Sequence, residues 1–396
     1  MENKKYRVFP ILFLAFMRVG LGVSIGLAIP LYYIDIGLEP GIIGVITSGT
    51  AMSYLVSPLI FKNLYKKIGV KFTIILSCIG FLIIQIILQF TLDPLIVYIL
   101  LILDGIFMGS FWPVLMTVIS TISKLDEYNQ NDLLKDRLMK RYSLAWNFGG
   151  IFSFILGTLV LFFIENILLM FIFSLLFATS GLIFALLIQE PENNLDGDIV
   201  LPLDERVKSI PKREDISFPV FLPLLMICVY GFLIGGLGLA YPIKSELLDF
   251  PLFTNYLFYF FRMSTQTATL SKTMDLNVKK IKKMILFSNI VLIISFILMG
   301  LNYNIIIFGI LFCLFGSFNS FFYTLSFKLT VFKNIAKNTS KYSVYFEIMV
   351  GIGFFLSPIL TGLIAELNVD LTFFFLAILS VFTFIVYLIF YRKIKE

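Results

Sequence analysis

The chain alternates long apolar runs with short polar breaks. Eleven clear runs and one weak one lie at roughly 9–33, 41–61, 72–92, 95–119, 143–164, 167–188, 219–243, 252–270 (the weak one), 284–301, 305–327, 342–365 and 371–391. At ~1.5 Å per residue each can cross a ~30 Å hydrocarbon core. No water is available there to satisfy backbone groups, so such runs must be helices. The pattern predicts an all-α membrane protein of twelve transmembrane helices.

The breaks differ in charge by turns. One set, with both termini, carries 28 of the 31 basic residues, including Lys62, Lys66, Lys67, Lys71, Lys279 and Lys280. The other set carries acids: Asp35, Glu39, Asp93, Glu165, Glu246, Asp249, Glu366 and Asp370. By the positive-inside rule the basic breaks and both termini are cytoplasmic. The sequence pI of about 9.0 then reflects topology, and no nucleic-acid partner is expected. A composition 59% hydrophobic and 14% charged, with mean hydropathy +0.96, excludes a soluble globular chain. The first run is too long for a signal-peptide core and lacks a small-residue cleavage site, so it reads as a retained span. The expectation is a multi-pass integral protein of the plasma membrane.

There is no histidine, which excludes His-ligated metals and His-based catalysis. Cys78, Cys228 and Cys313 all fall inside apolar runs, and no structural disulfide is expected. No phosphate-binding G-x-x-x-x-G-K-[ST] loop occurs. No metal or cofactor is expected, nor is an enzyme.

The sequence repeats. Pro10 returns as Pro223, and GLAIPLY at 26–32 as GLAYPIK at 238–244, at offsets of 213 and 212. The stretch 105–120 resembles 311–327, aligning Gly109-Ser110-Phe111 with Gly316-Ser317-Phe318. Tyr142-Ser143 matches Tyr342-Ser343, which sets Asn147 opposite Glu347. Residues 190–217 are polar, with Pro, Gly and both signs of charge, and read as a cytoplasmic linker. The expected plan is two pseudo-symmetric six-helix halves, 1–189 and 218–396, in parallel repeat.

With these features the chain resembles the major facilitator superfamily over nearly its full length. The loop 62–71 is similar to the family's G-x-x-x-D-R-x-G-R-K: Lys67, Gly69 and Lys71 fit, while Lys62 and Lys66 replace the first Gly and the acid. GIFMGSFWP at 105–113 resembles the fourth-span glycine signature. Gly149-xxx-Ser153-Phe154-xx-Gly157 resembles the fifth-span antiporter motif, and Gly353-xxx-Ser357-Pro358 carries the proline that the fifth span lacks. The resemblance implies spans one, four, seven and ten around a central cavity, and alternating access of the two halves.

Charges inside the bilayer are functional candidates by default. Four stand out: Arg18, Asp104, Arg262 and Glu347. Counting from the ends of their runs, Arg18 and Asp104 lie at nearly one level, and the implied cavity would set them face to face. They form a packing ion pair, or one or both meet substrate or proton. In the weak run, Asn255, Tyr259, Arg262, Gln266 and Thr269 recur at intervals of 4, 3, 4 and 3, one helix face that cannot front lipid. Further candidates are Tyr230 and Tyr241 on the seventh span, where Lys244 is expected to snorkel outward. Asn319 and Tyr323 mark the tenth span, with Asn319 a hydrogen-bonding site and not a coupling site. Trp146 is expected as an interfacial anchor.

The expectation is a monomeric secondary transporter of a small-molecule substrate in the lipid bilayer, first as an antiporter driving efflux. Protons are the candidate coupling ion through Asp104 or Glu347, because burial and a nearby cation act in opposite senses on a carboxyl's proton affinity. Two intramembrane Arg residues favour the alternative, uptake of an anionic or polar metabolite. A non-transporting membrane scaffold is the remaining alternative.

Overall fold

In the computed structural model, which describes residues 8–61, 64–122, 132–189, 218–273, 276, 278–337 and 341–391, the chain forms twelve long helices. They are α1 (Phe9–Asp35), α2 (Pro40–Tyr54), α3 (Val70–Leu88), α4 (Pro94–Ile122), α5 (Asp132–Phe163) and α6 (Leu169–Leu186). The series continues with α7 (Phe221–Leu247), α8 (Phe253–Thr273), α9 (Val278–Leu301), α10 (Ile305–Lys337), α11 (Lys341–Leu367) and α12 (Val369–Tyr391). A short helix, Ser57–Phe61, extends α2 past a break, and another, Leu64–Ile68, precedes α3. The expected linker 190–217 lies outside the described residues.

Local chemistry starts the helices. Pro10 and Pro40 occupy the first turns of α1 and α2, where a missing N–H costs nothing. Asp93 Oδ1 accepts the Leu95 and Ile96 N–H groups at 3.0 and 3.1 Å and caps α4. Asn304 caps α10 likewise, accepting from Ile306 and Ile307 at 2.9 and 3.4 Å. Gly69, with φ +85°, admits the chain to α3 in a conformation suited to glycine, a backbone reason for the glycine of the loop motif.

Among the described residues eleven of these helices, α2 counted with its extension to Phe61, are long and apolar enough to span a membrane, and α8 is the exception. Its polar face is turned inward: Asn255, Tyr259, Arg262 and Gln266 are all buried. The lipid-facing surface is built from exposed Ile, Leu and Phe, such as Phe72, Ile306 and Ile378.

The packing within α1–α6 recurs within α7–α12. Helix α1 packs on α5 and α6 as α7 does on α11 and α12; α4 packs on α2 and α3 as α10 does on α8 and α9; α3 meets α6 as α9 meets α12. The two sets meet through α2–α11, α5–α8 and α1–α7. The contacts also correct two sequence alignments by about one turn. Ser53 Oγ bonds the Ile102 carbonyl at 2.6 Å, and Thr265 Oγ1 the Cys313 carbonyl at 3.0 Å. A side chain on Gly105 would collide with the Thr50 carbonyl, and one on Gly316 with that of Arg262. Gly105, not Gly109, is therefore the counterpart of Gly316. Gly149 seats against the Phe16 carbonyl as Gly353 does against that of Cys228. Asn147 then corresponds to Gly351, and Asn147 and Glu347 are not equivalent positions. A GSF or YS match is too short to fix register, whereas backbone contact allows one.

At the end of the bundle bearing the acidic breaks, α2 and α11 lie backbone to backbone. Gly41, Gly44 and Gly362 admit the Glu366 carboxylate and the carbonyls of Pro358 and Pro40, leaving no room for a side chain. Glu366 Oε1 accepts the Gly41 N–H at 2.9 Å, placing a carboxylate on the first turn of α2.

Candidate substrate-binding site

Arg18 and Asp104 do meet. Arg18 Nη2 lies 2.7 Å from Asp104 Oδ2, with the residues 6% and 2% exposed. Among the described residues Arg18 Nε and Asp104 Oδ1 have no hydrogen-bond partner. The guanidinium sits 4.4 Å from the Phe81 ring centroid on α3. Arg18 also lines a ~10 Å³ void with Leu14, Cys78, Phe111 and Phe177, enclosed by α1, α3, α4 and α6. That is about the space of one water.

Arg262 differs. It is 6% exposed, yet no carboxylate among the described residues pairs with it. Its Nη1 donates to Gln266 Oε1 at 3.4 Å, a long bond, its Nε has no partner, and its guanidinium lies 5.6 Å from the Tyr259 ring centroid. Helical spacing on α8 puts Gln266 one turn below Arg262. From there Gln266 Nε2 donates to the Tyr230 hydroxyl on α7 at 3.0 Å. Tyr230 packs on Tyr323 of α10, ring centroids 5.5 Å apart, and Tyr323 packs on Phe346 of α11 at 5.9 Å and Trp146 of α5 at 6.4 Å. Trp146, expected as an interfacial anchor, is half-buried and meets Tyr323 from α5.

Glu347, next to Phe346, accepts a 3.1 Å bond from the Tyr54 hydroxyl of α2 and pairs with no cation among the described residues. Arg262, Gln266, Tyr230, Tyr323, Glu347 and Tyr54 therefore make one connected belt from α8 across α7, α10 and α11 to α2. It holds one free cation and one free carboxylate among those residues. Asn319 and Tyr259 add buried polar atoms without hydrogen-bond partners. An unmet buried group costs about 1–3 kcal/mol unless a ligand or water completes it.

The other candidates hold helices together. Asn255 Oδ1 accepts from Ser245 Oγ at 3.1 Å, and the Tyr241 hydroxyl donates to Thr254 Oγ1 at 3.4 Å, both joining α7 to α8 away from Arg262. Asn147 Oδ1 accepts from Thr267 Oγ1 at 3.1 Å and joins α5 to α8. Lys244 does not snorkel. It is 1% exposed, donates to the Met299 and Gly300 carbonyls at 2.8 and 2.7 Å, and lies 2.8 Å from Asp370 Oδ1. It thereby satisfies the carboxyl end of α9 and ties α7, α9 and α12 together. In the loop motif, Lys67 is exposed and Lys71 half-buried, far in sequence and helix from the belt.

The described bundle thus joins eleven apolar helices and one polar helix through a largely buried belt of polar and aromatic side chains. The family model for the Major Facilitator Superfamily matches residues 8–332. Among solved structures, a mutant of the nucleoside transporter NupG matches with a TM-score of 0.74 at 15% identity, covering 97% of this chain and 99% of that one. The human organic anion transporter MFSD10 (TETRAN) matches with a TM-score of 0.65 at 15% identity, covering 96% and 97%. The curated proteins include no match. The chain is a multi-pass membrane protein and belongs to the Major Facilitator Superfamily.

Proposed function

We propose that the protein is a secondary transporter that moves a small polar or anionic organic solute by alternating access, with Arg262 anchoring the negative group. The carrying observation is that Arg262 is a deeply buried cation without a carboxylate partner among the described residues. A buried charge left unpaired costs several kcal/mol, so an anion from outside the chain is its natural complement. Gln266, Tyr230, Tyr323 and Tyr259 would orient the solute. The cargoes named for the two solved relatives, nucleosides and organic anions, are of this polar or anionic kind.

In this reading residues 1–189 and 218–396 are the two rocking halves, joined by 190–217, a division supported by the recurring packing pairs. The basic end is cytoplasmic, the membrane is the plasma membrane, and the glycine contacts between α2 and α11 close the outer side. The unit of transport is the monomer. Glu347 is the proton-carrying group, since its carboxylate has a tyrosine and no cation against it among the described residues. Proton-driven efflux, the second reading, rests on that same carboxylate and on the glycine motif at Gly149. Arg18 and Asp104 hold α1 to α4 in either case.

Thermal unfolding of the detergent-purified protein against panels of organic anions and lipophilic cations tests this. Stabilisation by anions, abolished in Arg262→Gln, is expected. Stabilisation by cations alone, indifferent to Arg262→Gln, would overturn the anionic reading.

A further inference from the structure

Asn319 stands apart in the polar inventory of the bundle. It is fully buried, and neither Oδ1 nor Nδ2 has a hydrogen-bond partner. Among the described residues no other amide is left with both atoms unmet. Its place on α10 is set by neighbours with known contacts. One turn before it, Gly316 seats against the Arg262 backbone. One turn after it, Tyr323 packs against Tyr230 and Trp146. Helical spacing therefore sets Asn319 between the level of the Arg262 backbone and the Tyr230–Tyr323 contact. No titratable group is needed to explain the residue, and an apolar side chain would fill the space with no unmet atoms.

A primary amide offers one acceptor and one donor side by side in a plane. The partner that satisfies both is another planar edge with the complementary order, such as the –NH–C(=O)– of a cyclic amide, as side-chain amides do on base edges. Rings of this kind stack on aromatic side chains irrespective of their substituents. We infer that the solute is a planar, amide-bearing heteroaromatic acid: Asn319 reads its lactam or imide edge, Tyr230 and Tyr323 receive its ring, and Arg262 takes its acidic group. This rests on the reading of Arg262 as the anion anchor, and adds to it a second, independent contact that decides which anion is chosen.

Three probes of matched size separate the parts. Orotate has the imide edge and the carboxylate, uracil only the edge, and benzoate only the carboxylate. Binding to the purified full chain is measured by calorimetry, with thermal unfolding as a check on folding. Orotate is expected to bind at least tenfold more tightly than either other probe. Asn319→Leu, which keeps the branched side-chain shape and removes the unmet atoms, should bring orotate down to the benzoate level and leave benzoate unchanged. Arg262→Gln should bring orotate down to the uracil level. Equal binding of orotate and benzoate in the unaltered protein, or indifference of orotate to Asn319→Leu, would overturn the amide reading while leaving the anion anchor standing. Orotate binding indifferent to Arg262→Gln would overturn both. Absence of orotate binding at millimolar concentration would refute the inference alone, since the wider anion panel tests Arg262 separately.

Discussion

Replacing both members of the Arg18–Asp104 pair distinguishes a packing element from a substrate contact. The two groups lie 2.7 Å apart and are almost wholly buried, so removing one leaves the other charged in a low-dielectric interior. The cost of such a single change is about 3–5 kcal/mol. Asp104→Leu should be the worse of the two, because a stranded guanidinium cannot shed its charge whereas a stranded carboxylate can take up a proton. The double variant Arg18→Met/Asp104→Leu replaces the pair by apolar groups of similar bulk beside Phe81, Cys78 and Phe111, which already line the site. Replacements of that kind range from neutral to stabilising, so the double variant should return to within about 1 kcal/mol of the original. The implied coupling is about 5 kcal/mol or more, far above the ~0.5 kcal/mol of independent sites. Thermal unfolding in detergent gives the stabilities, and solute uptake into proteoliposomes gives function. A double variant that unfolds normally and still transports is expected. One that is stable but transport-dead would refute the packing role, as would single variants that lose less than about 1 kcal/mol.

Other consequences follow from single contacts. Gly44→Val would drive a side chain into the Pro358 carbonyl and keep the α2–α11 contact from closing; labelling of a Ser48→Cys reporter by an impermeant thiol reagent from the acidic end should rise several-fold, and unchanged labelling would refute the role of that contact. Lys244→Met strips two carbonyls and the half-buried Asp370 of their cation and should cost about 3 kcal/mol, read as a fall in unfolding temperature. A loss below about 0.5 kcal/mol would mean that the α9 terminus is satisfied otherwise. Glu347→Gln keeps the volume and removes the titrating group, so uptake driven by a pH gradient should vanish while solute exchange without a gradient persists. Gradient-driven uptake that survives would remove Glu347 from coupling.

Much of this protein is determined by its sequence alone, and the reason is the bilayer. Hydrocarbon forbids unpaired backbone, so twelve apolar runs could only be helices, and the weak eighth run could survive only by turning its polar face inward. The same penalty made Arg18, Asp104, Arg262 and Glu347 visible as intramembrane charges. What the linear chain could not encode visibly was which of these charges meet. Arg18 and Asp104 lie 86 residues apart and pair, whereas Arg262 and Glu347 end at a belt of tyrosines. Lys244 looked like a surface lysine because its partners, the last carbonyls of α9 and Asp370, come together only when α7, α9 and α12 pack. Thr267 carried no signal of its own, since a hydroxyl on a helix is unremarked until an amide from another helix arrives opposite it. Periodicity reports which face of a helix avoids lipid. Only the distances between helices decide whether the groups on that face satisfy one another or are left for a solute.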